Sequence, residues 1–160
     1  MYRRPRGGRT NPFADSNVID LKSYRIKAAT RNLTLFYLSG SGLFREDVLD
    51  LTHGRVVEIH DMNVLSSALL LYKPDCIIVE SNLDWANPYT LVTHLTAHYE
   101  APVLMLFEQM KASEADAAIR RAYACGVTDT LFAPLCHQEL LSSLKILLRM
   151  SDKSFESGVS

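Results

Sequence analysis

Five short runs of apolar, β-prone residues recur along the chain: LTLFYL (33–38), RVVEIH (55–60), CIIVE (76–80), PVLMLF (102–107) and VTDTLF (127–132). Each is followed by a stretch of helical pattern. Runs of this length bury themselves as strands, being too short to fill a core as helices. Strands that alternate with helices pair in parallel, because each crossover helix returns the chain to the same end of the sheet. Right-handed crossovers then lay helices on both faces. The expected fold is α/β, a doubly wound five-stranded parallel sheet in a three-layer sandwich.

Punctuation between the runs agrees with this. Ser39-Gly40-Ser41-Gly42 closes the first run and leads into a helical pattern, LFREDVLDLTHG, with Gly54 as its C′ residue. Met62 to Tyr72 reads as the second helix, and Lys73-Pro74-Asp75 breaks it. A loop with Asn82, Asp84, Asn87 and Pro88 precedes a helix through Leu91, Leu95 and His98. Ser113 is the expected cap of the helix EADAAIRRAYAC, which Gly126 ends, and a last helix runs from about Gln138 to Met150. The domain is therefore expected at 33–150, behind an N-terminal arm at 1–32 and ahead of a polar tail or linker at 151–160. The arm begins MYRRPRGGRTNPF, whose composition predicts disorder. In its second half VIDL and YRIKAA suit a short helix or strand equally well.

Charge is unevenly divided. Residues 1–31 carry eight Lys/Arg against Asp15 and Asp20, a net of +6, while the other 129 residues hold nine basic and sixteen acidic side chains, a net of −7. A basic arm on an acidic body predicts an interaction tail or an arm that folds back on its own domain. The acidic body argues against nucleic-acid binding by the domain itself. Cys76, Cys125 and Cys136 form no CxxC pair, which predicts buried, reduced thiols and a cytoplasmic setting. No segment has the unbroken apolar length of a membrane span, and no apolar stretch follows the N-terminal arginines as in a secretory signal.

The second half resembles a known family. Lys73-Pro74-Asp75-Cys76-Ile77-Ile78-Val79-Glu80 is similar to the third strand of response-regulator receiver domains, which ends in the phosphoacceptor Asp. Pro102 to Phe107 is similar to their fourth strand. Ala122 through Gly126, Asp129, Leu131, Pro134-Leu135 and Glu139-Leu140 follow their pattern of helix, strand, Lys-Pro and final helix. The likeness spans roughly Leu33 to Met150. It implies a receiver or flavodoxin-like sandwich in two-component signalling, with no enzyme activity, cofactor or metal of its own.

The same resemblance implies that the phosphorylation chemistry is gone. Phosphoryl transfer to a receiver needs a carboxylate nucleophile, an acid pair for Mg²⁺, a hydroxyl and a Lys. Glu80 stands at the nucleophile, the acid-pair positions fall within Leu38-Ser39-Gly40, Phe107 replaces the hydroxyl, and Ala133 replaces the Lys before Pro134. Each preorganised charge-stabilising group is worth on the order of several kcal/mol, so losing two leaves negligible phosphorylation. Receivers signal through the face of their fourth helix, fifth strand and fifth helix. Here that face implies contacts to a partner or a second copy through Arg120, Arg121, Tyr123, Asp129, Glu139 and Lys145. An output domain following such a module, as in a transcription regulator, is implied by context alone.

Other readings of these residues remain open. Glu80 is either a built-in mimic of phosphorylated Asp or, more simply, a strand-end acid bonded to nearby backbone N–H groups. Ser39, Gly40, Ser41 and Gly42 suit a phosphate cradle in a small-molecule-binding, flavodoxin-like module, and equally a tight strand-to-helix turn. His94 and His98 share a helix face, but without a third ligand they read as surface histidines. Cys125 and Cys136 read as packing residues. Trp85 either covers the vacated acidic pocket or marks a partner contact.

Overall fold

In a computed structural model, which describes residues 33–50 and 54–151, the five apolar runs are all strands. They are β1 (Thr34–Leu38), β2 (Arg55–Ile59), β3 (Cys76–Glu80), β4 (Val103–Phe107) and β5 (Asp129–Phe132). The intervening helices are α1 (Arg45–Leu49), α2 (Met62–Leu71), α3 (Pro88–His98) and α4 (Ala112–Ala124), and α5 (His137–Ser151) closes the fold. All strand pairs are parallel, in the order β2-β1-β3-β4-β5.

Position in the sheet explains the pattern of each run. β1, β3 and β4 lie inside and bury every residue, so their sequences are almost continuously apolar. β2 and β5 are the edges, and they carry the charged or polar residues Arg55, Glu58, Asp129 and Thr130 on half-covered backbone. Alternate side chains of the inner strands feed two cores. Phe36, Leu38, Ile77, Val79, Val103, Met105 and Phe107 meet Leu65 of α2, Leu91, Val92 and Leu95 of α3, and Ala122 of α4. On the other face Leu35, Tyr37, Cys76, Ile78, Leu104 and Leu106 meet Val48 of α1 and Leu140, Leu141, Leu144, Leu147 and Leu148 of α5.

Helix boundaries follow from their caps. Asp61 accepts the Val64 N–H at 2.7 Å and starts α2. Asn87 accepts the N–H groups of Tyr89 and Thr90 at 3.0 and 3.2 Å, with Pro88 preset as the first helical residue of α3. α4 begins one residue before the expected cap. Lys111 is its N-cap, Ser113 lies inside the first turn, and Glu114 reaches back to accept the Lys111 N–H at 3.3 Å. That backward bond satisfies a donor a serine cap leaves free. Gly126 ends α4 with φ of 112°. α1 is a five-residue helix, shorter than the pattern LFREDVLDLTHG predicts. Residues 51–53 of that pattern, the arm at 1–32 and residues 152–160 of the tail lie outside the described residues. Ser151, read from sequence as tail, belongs to α5.

Candidate functional site

The strand order reverses direction between β1 and β3, because β1 connects outward to β2 while β3 connects onward to β4. In open α/β sheets the crevice at the carboxyl ends of the strands flanking such a point is the place where ligands bind. Here that crevice holds Glu80, the last residue of β3, only 2% exposed. Its Oε1 accepts hydrogen bonds from the N–H groups of Gly40 and Ser41 at 3.0 and 3.2 Å, with the Ser41 hydroxyl at 3.4 Å. Its Oε2 accepts a hydrogen bond from the Tyr37 hydroxyl. A buried carboxylate is tolerated only when its oxygens are satisfied in this way.

The partners are held by packing as much as by the bonds. Tyr37 sits in β1 on the same sheet face as Glu80, so its ring lies in the core and its hydroxyl reaches the strand ends. Burial, reinforced by the Glu80 carboxylate, pushes the Tyr37 phenol far above its ordinary range, so it remains a proton donor. At Gly40 the loop after β1 runs against the loop after β3. A Cβ there would lie 2.1 Å from the Asn82 carbonyl oxygen, a contact no side chain survives. The Trp85 indole N–H donates to the Ser39 carbonyl at 2.9 Å, tying the loop after β3 to the end of β1. Across the strand ends, Phe107 is buried and stacks on Phe132 with ring centroids 4.8 Å apart. Ala133 is half-buried, and its N–H donates to the Phe107 carbonyl at 2.8 Å.

No family model matches the chain, and neither does any curated protein. Solved structures do match. A chain described as a response regulator from Chloroflexus aurantiacus superposes with a TM-score of 0.64 at 23% identity, covering 74% of this chain and 98% of its own. The signal receiver domain of an HD domain-containing protein from Pseudomonas fluorescens gives 0.63 at 18% identity, covering 79% and 94%. That of a signal transduction histidine kinase from Syntrophus aciditrophicus gives 0.59 at 21%, covering 72% and 89%.

The chain has the fold of a response-regulator receiver domain.

Within this receiver fold the sequence-selected residues separate into groups. Ser39, Gly40, Glu80, Phe107 and Ala133 do converge at the carboxyl ends of β1, β3, β4 and β5. The Ser39–Gly42 turn does not present an open cradle, since the N–H groups of Gly40 and Ser41 are already bonded to Glu80. Gly42 takes a φ of 79° and serves the turn into α1. Of the residues expected on the α4–β5–α5 face, Arg120, Tyr123, Glu139 and Lys145 are exposed. Arg121 is exposed too, but its guanidinium lies 4.0 Å from the Tyr89 ring centroid, tying α4 to α3. Asp129 points inward, where its carboxylate accepts from the Ser143 hydroxyl at 2.7 Å and joins β5 to α5.

The rings of His94 and His98 lie tilted to one another with centroids 4.5 Å apart, and among the described residues no three His, Cys, Asp or Glu side chains gather as metal ligands. Among the described residues, too, no helix is long and apolar enough to cross a membrane. Cys76 is buried in the core, which pushes its thiol up to about 12, and burial raises Cys125 as well. Cys136 is exposed, which departs from the expectation that all three thiols are buried. It lies at the turn into α5, outside the stripe of Leu140, Leu141, Leu144, Leu147 and Leu148 that packs on the sheet. Sequence reasoning missed Tyr37. Its signal is nevertheless present, because a phenol inside an inner strand must find a polar partner.

Proposed function

We propose that the chain is a phosphorylation-independent, receiver-like regulatory module of two-component-type signalling that acts through protein contacts. The observation that carries this reading is the occupancy of the crevice by the protein's own carboxylate. Glu80 already uses the N–H groups of Gly40 and Ser41 and the Tyr37 hydroxyl, the groups through which an incoming anion would be held. The resemblance to receivers assigns Phe107 and Ala133 to the positions that would sense a phosphoryl group. Phe107 is packed against Phe132, and an alanine methyl offers no charge. Glu80 therefore works as a structural anion that holds the β1–α1 loop against β3, in place of a phosphoacceptor that toggles it.

With the switch held in one state, output falls to a constitutive surface. The α4–β5–α5 face suits a protein partner or a second copy. α4 buries only Ala122, β5 is half-covered, and Arg120, Tyr123 and Ile146 stand exposed. Arginine and aromatic side chains are the usual energetic anchors of such contacts. Placement ahead of an output domain, as in a transcription regulator, extends the same reading.

The test uses Trp85, whose indole is bonded to the crevice wall at Ser39. Titration with Mg²⁺ and beryllofluoride is expected to leave Trp85 fluorescence unchanged. A saturable shift abolished by Glu80→Gln would overturn the proposal. For the surface, Arg120→Glu is expected to weaken self-association or partner binding in sedimentation velocity, with circular dichroism unchanged, since an exposed charge contributes little to stability. Unaltered association would place the contact elsewhere.

A further inference from the structure

α2 carries an anomaly unrelated to the crevice. It buries Leu65 and Ala68, yet Leu70 and Leu71 at its carboxyl end are 88% and 72% exposed. Adjacent leucines left this open are uncommon on a surface that nothing covers. Two leucines are a small anchor for a second copy, which has to order roughly 20–30 residues a side to form a stable interface. A tethered segment needs far less, since linkage supplies an effective concentration in the millimolar range.

The described chain begins beside this patch. Leu33 accepts the Arg55 N–H at 2.9 Å, and Thr34 lies opposite Arg55 in the sheet. The Arg55 guanidinium sits 4.6 Å from the ring centroid of Tyr72, the residue that caps α2 directly after Leu71. Thr34 and Asp75 exchange two further hydrogen bonds of 2.8 Å, binding the start of β1 to the segment that follows α2. Leu33 is therefore linked through Arg55 to Tyr72, the residue that follows Leu71. Within residues 1–32, Val18, Ile19, Leu21, Tyr24 and Ile26 supply apolar side chains interleaved with Lys22, Arg25 and Lys27. Five extended residues reach about 16 Å, which exceeds the width of a helix at about 10–12 Å.

We propose that residues 18–28 cover Leu70 and Leu71, making the outer face of α2 an intramolecular docking surface for the N-terminal arm. This surface lies on the β2 side of the sheet, away from the α4–β5–α5 face, and it does not depend on the reading of the crevice. The experiment places a benzoyl-phenylalanine photo-crosslinker at position 70 of the full chain, irradiates, and maps products by mass spectrometry. Cross-links from position 70 to residues 18–28 within a monomer-sized product are expected. A dimer-sized product, or no link to the arm, would overturn the proposal. Hydrogen exchange supplies a second readout. The paired change Leu70→Asp with Leu71→Asp is expected to speed amide exchange in residues 18–28 about tenfold, with β3 and β4 unaffected. An unchanged arm would count against it.

Discussion

Glu80 concentrates the physical problem of this molecule in one side chain. A carboxylate that is nearly inaccessible costs several kcal/mol unless its oxygens are paired, and four donors from β1 and the following loop provide that pairing. Each donor is a separate experiment. Tyr37→Phe removes the hydroxyl and leaves Oε2 short of a partner, and we expect a loss of about 1–3 kcal/mol in urea denaturation. Glu80→Asp draws the carboxylate back by one methylene from Gly40 and Ser41, with a loss of similar size. Gly40→Ala acts differently, because its methyl would strike the Asn82 carbonyl, backbone that cannot step aside. It should cost at least as much as either change and also shift Trp85 fluorescence, since Trp85 is bonded to Ser39 next door.

Among the elements, α4 buries little of its own surface and shows how a helix can be placed by its ends. It buries one residue, Ala122, and its hydrogen-bonded stop at Gly126 fixes where β5 begins. Gly126 has φ of 112°, and a Cβ there would lie 2.6 Å from the Thr96 hydroxyl of α3. Gly126→Ala therefore combines left-handed strain with a clash. We expect it to lower stability by about 1–3 kcal/mol and to raise amide exchange in α4 and β5 before the inner strands, measurable by hydrogen exchange. The Asp129–Ser143 bond works at the other side of the same strand, holding the edge of the sheet to α5.

For the whole molecule, the two cores meet in β1, β3 and β4, so any charge that develops there loosens both layers. Cys76 lies in β3 with its thiol pushed up to about 12 by burial, and the buried Tyr37 phenol in β1 is raised as well. Both groups are neutral when protonated, and the fold holds those protons more tightly than the unfolded chain does. The stability they contribute is present in full below the unfolded thiol's range and is lost as pH rises toward 12. Thermal melts are expected to fall through this alkaline window, and Cys76→Ala should make the fall shallower while lowering the midpoint at neutral pH through the smaller side chain. A slope unchanged by the substitution would remove Cys76 from the account.

The order and type of the elements were legible in the sequence because they rest on local patterns. Apolar runs such as CIIVE and PVLMLF, the break at Lys73-Pro74-Asp75 and the stop at Gly126 each act within a few residues, and the sheet follows from their alternation. The likeness of residues 73–80 and 102–107 to receiver strands pointed to the fold that the superpositions show. Tertiary structure decided what depends on residues far apart in the chain. Glu80 meets Tyr37, Gly40 and Ser41 across separations of 43, 40 and 39 residues, and no local pattern says whether that carboxylate faces solvent or the turn. The same holds for Asp129, which looks like a surface charge until Ser143 arrives fourteen residues later. It holds for Leu70 and Leu71 too, whose apolarity predicts burial while the helix register turns them outward. Periodicity determines which elements form, whereas the partner of a buried polar group is set only when the sheet brings distant strand ends together.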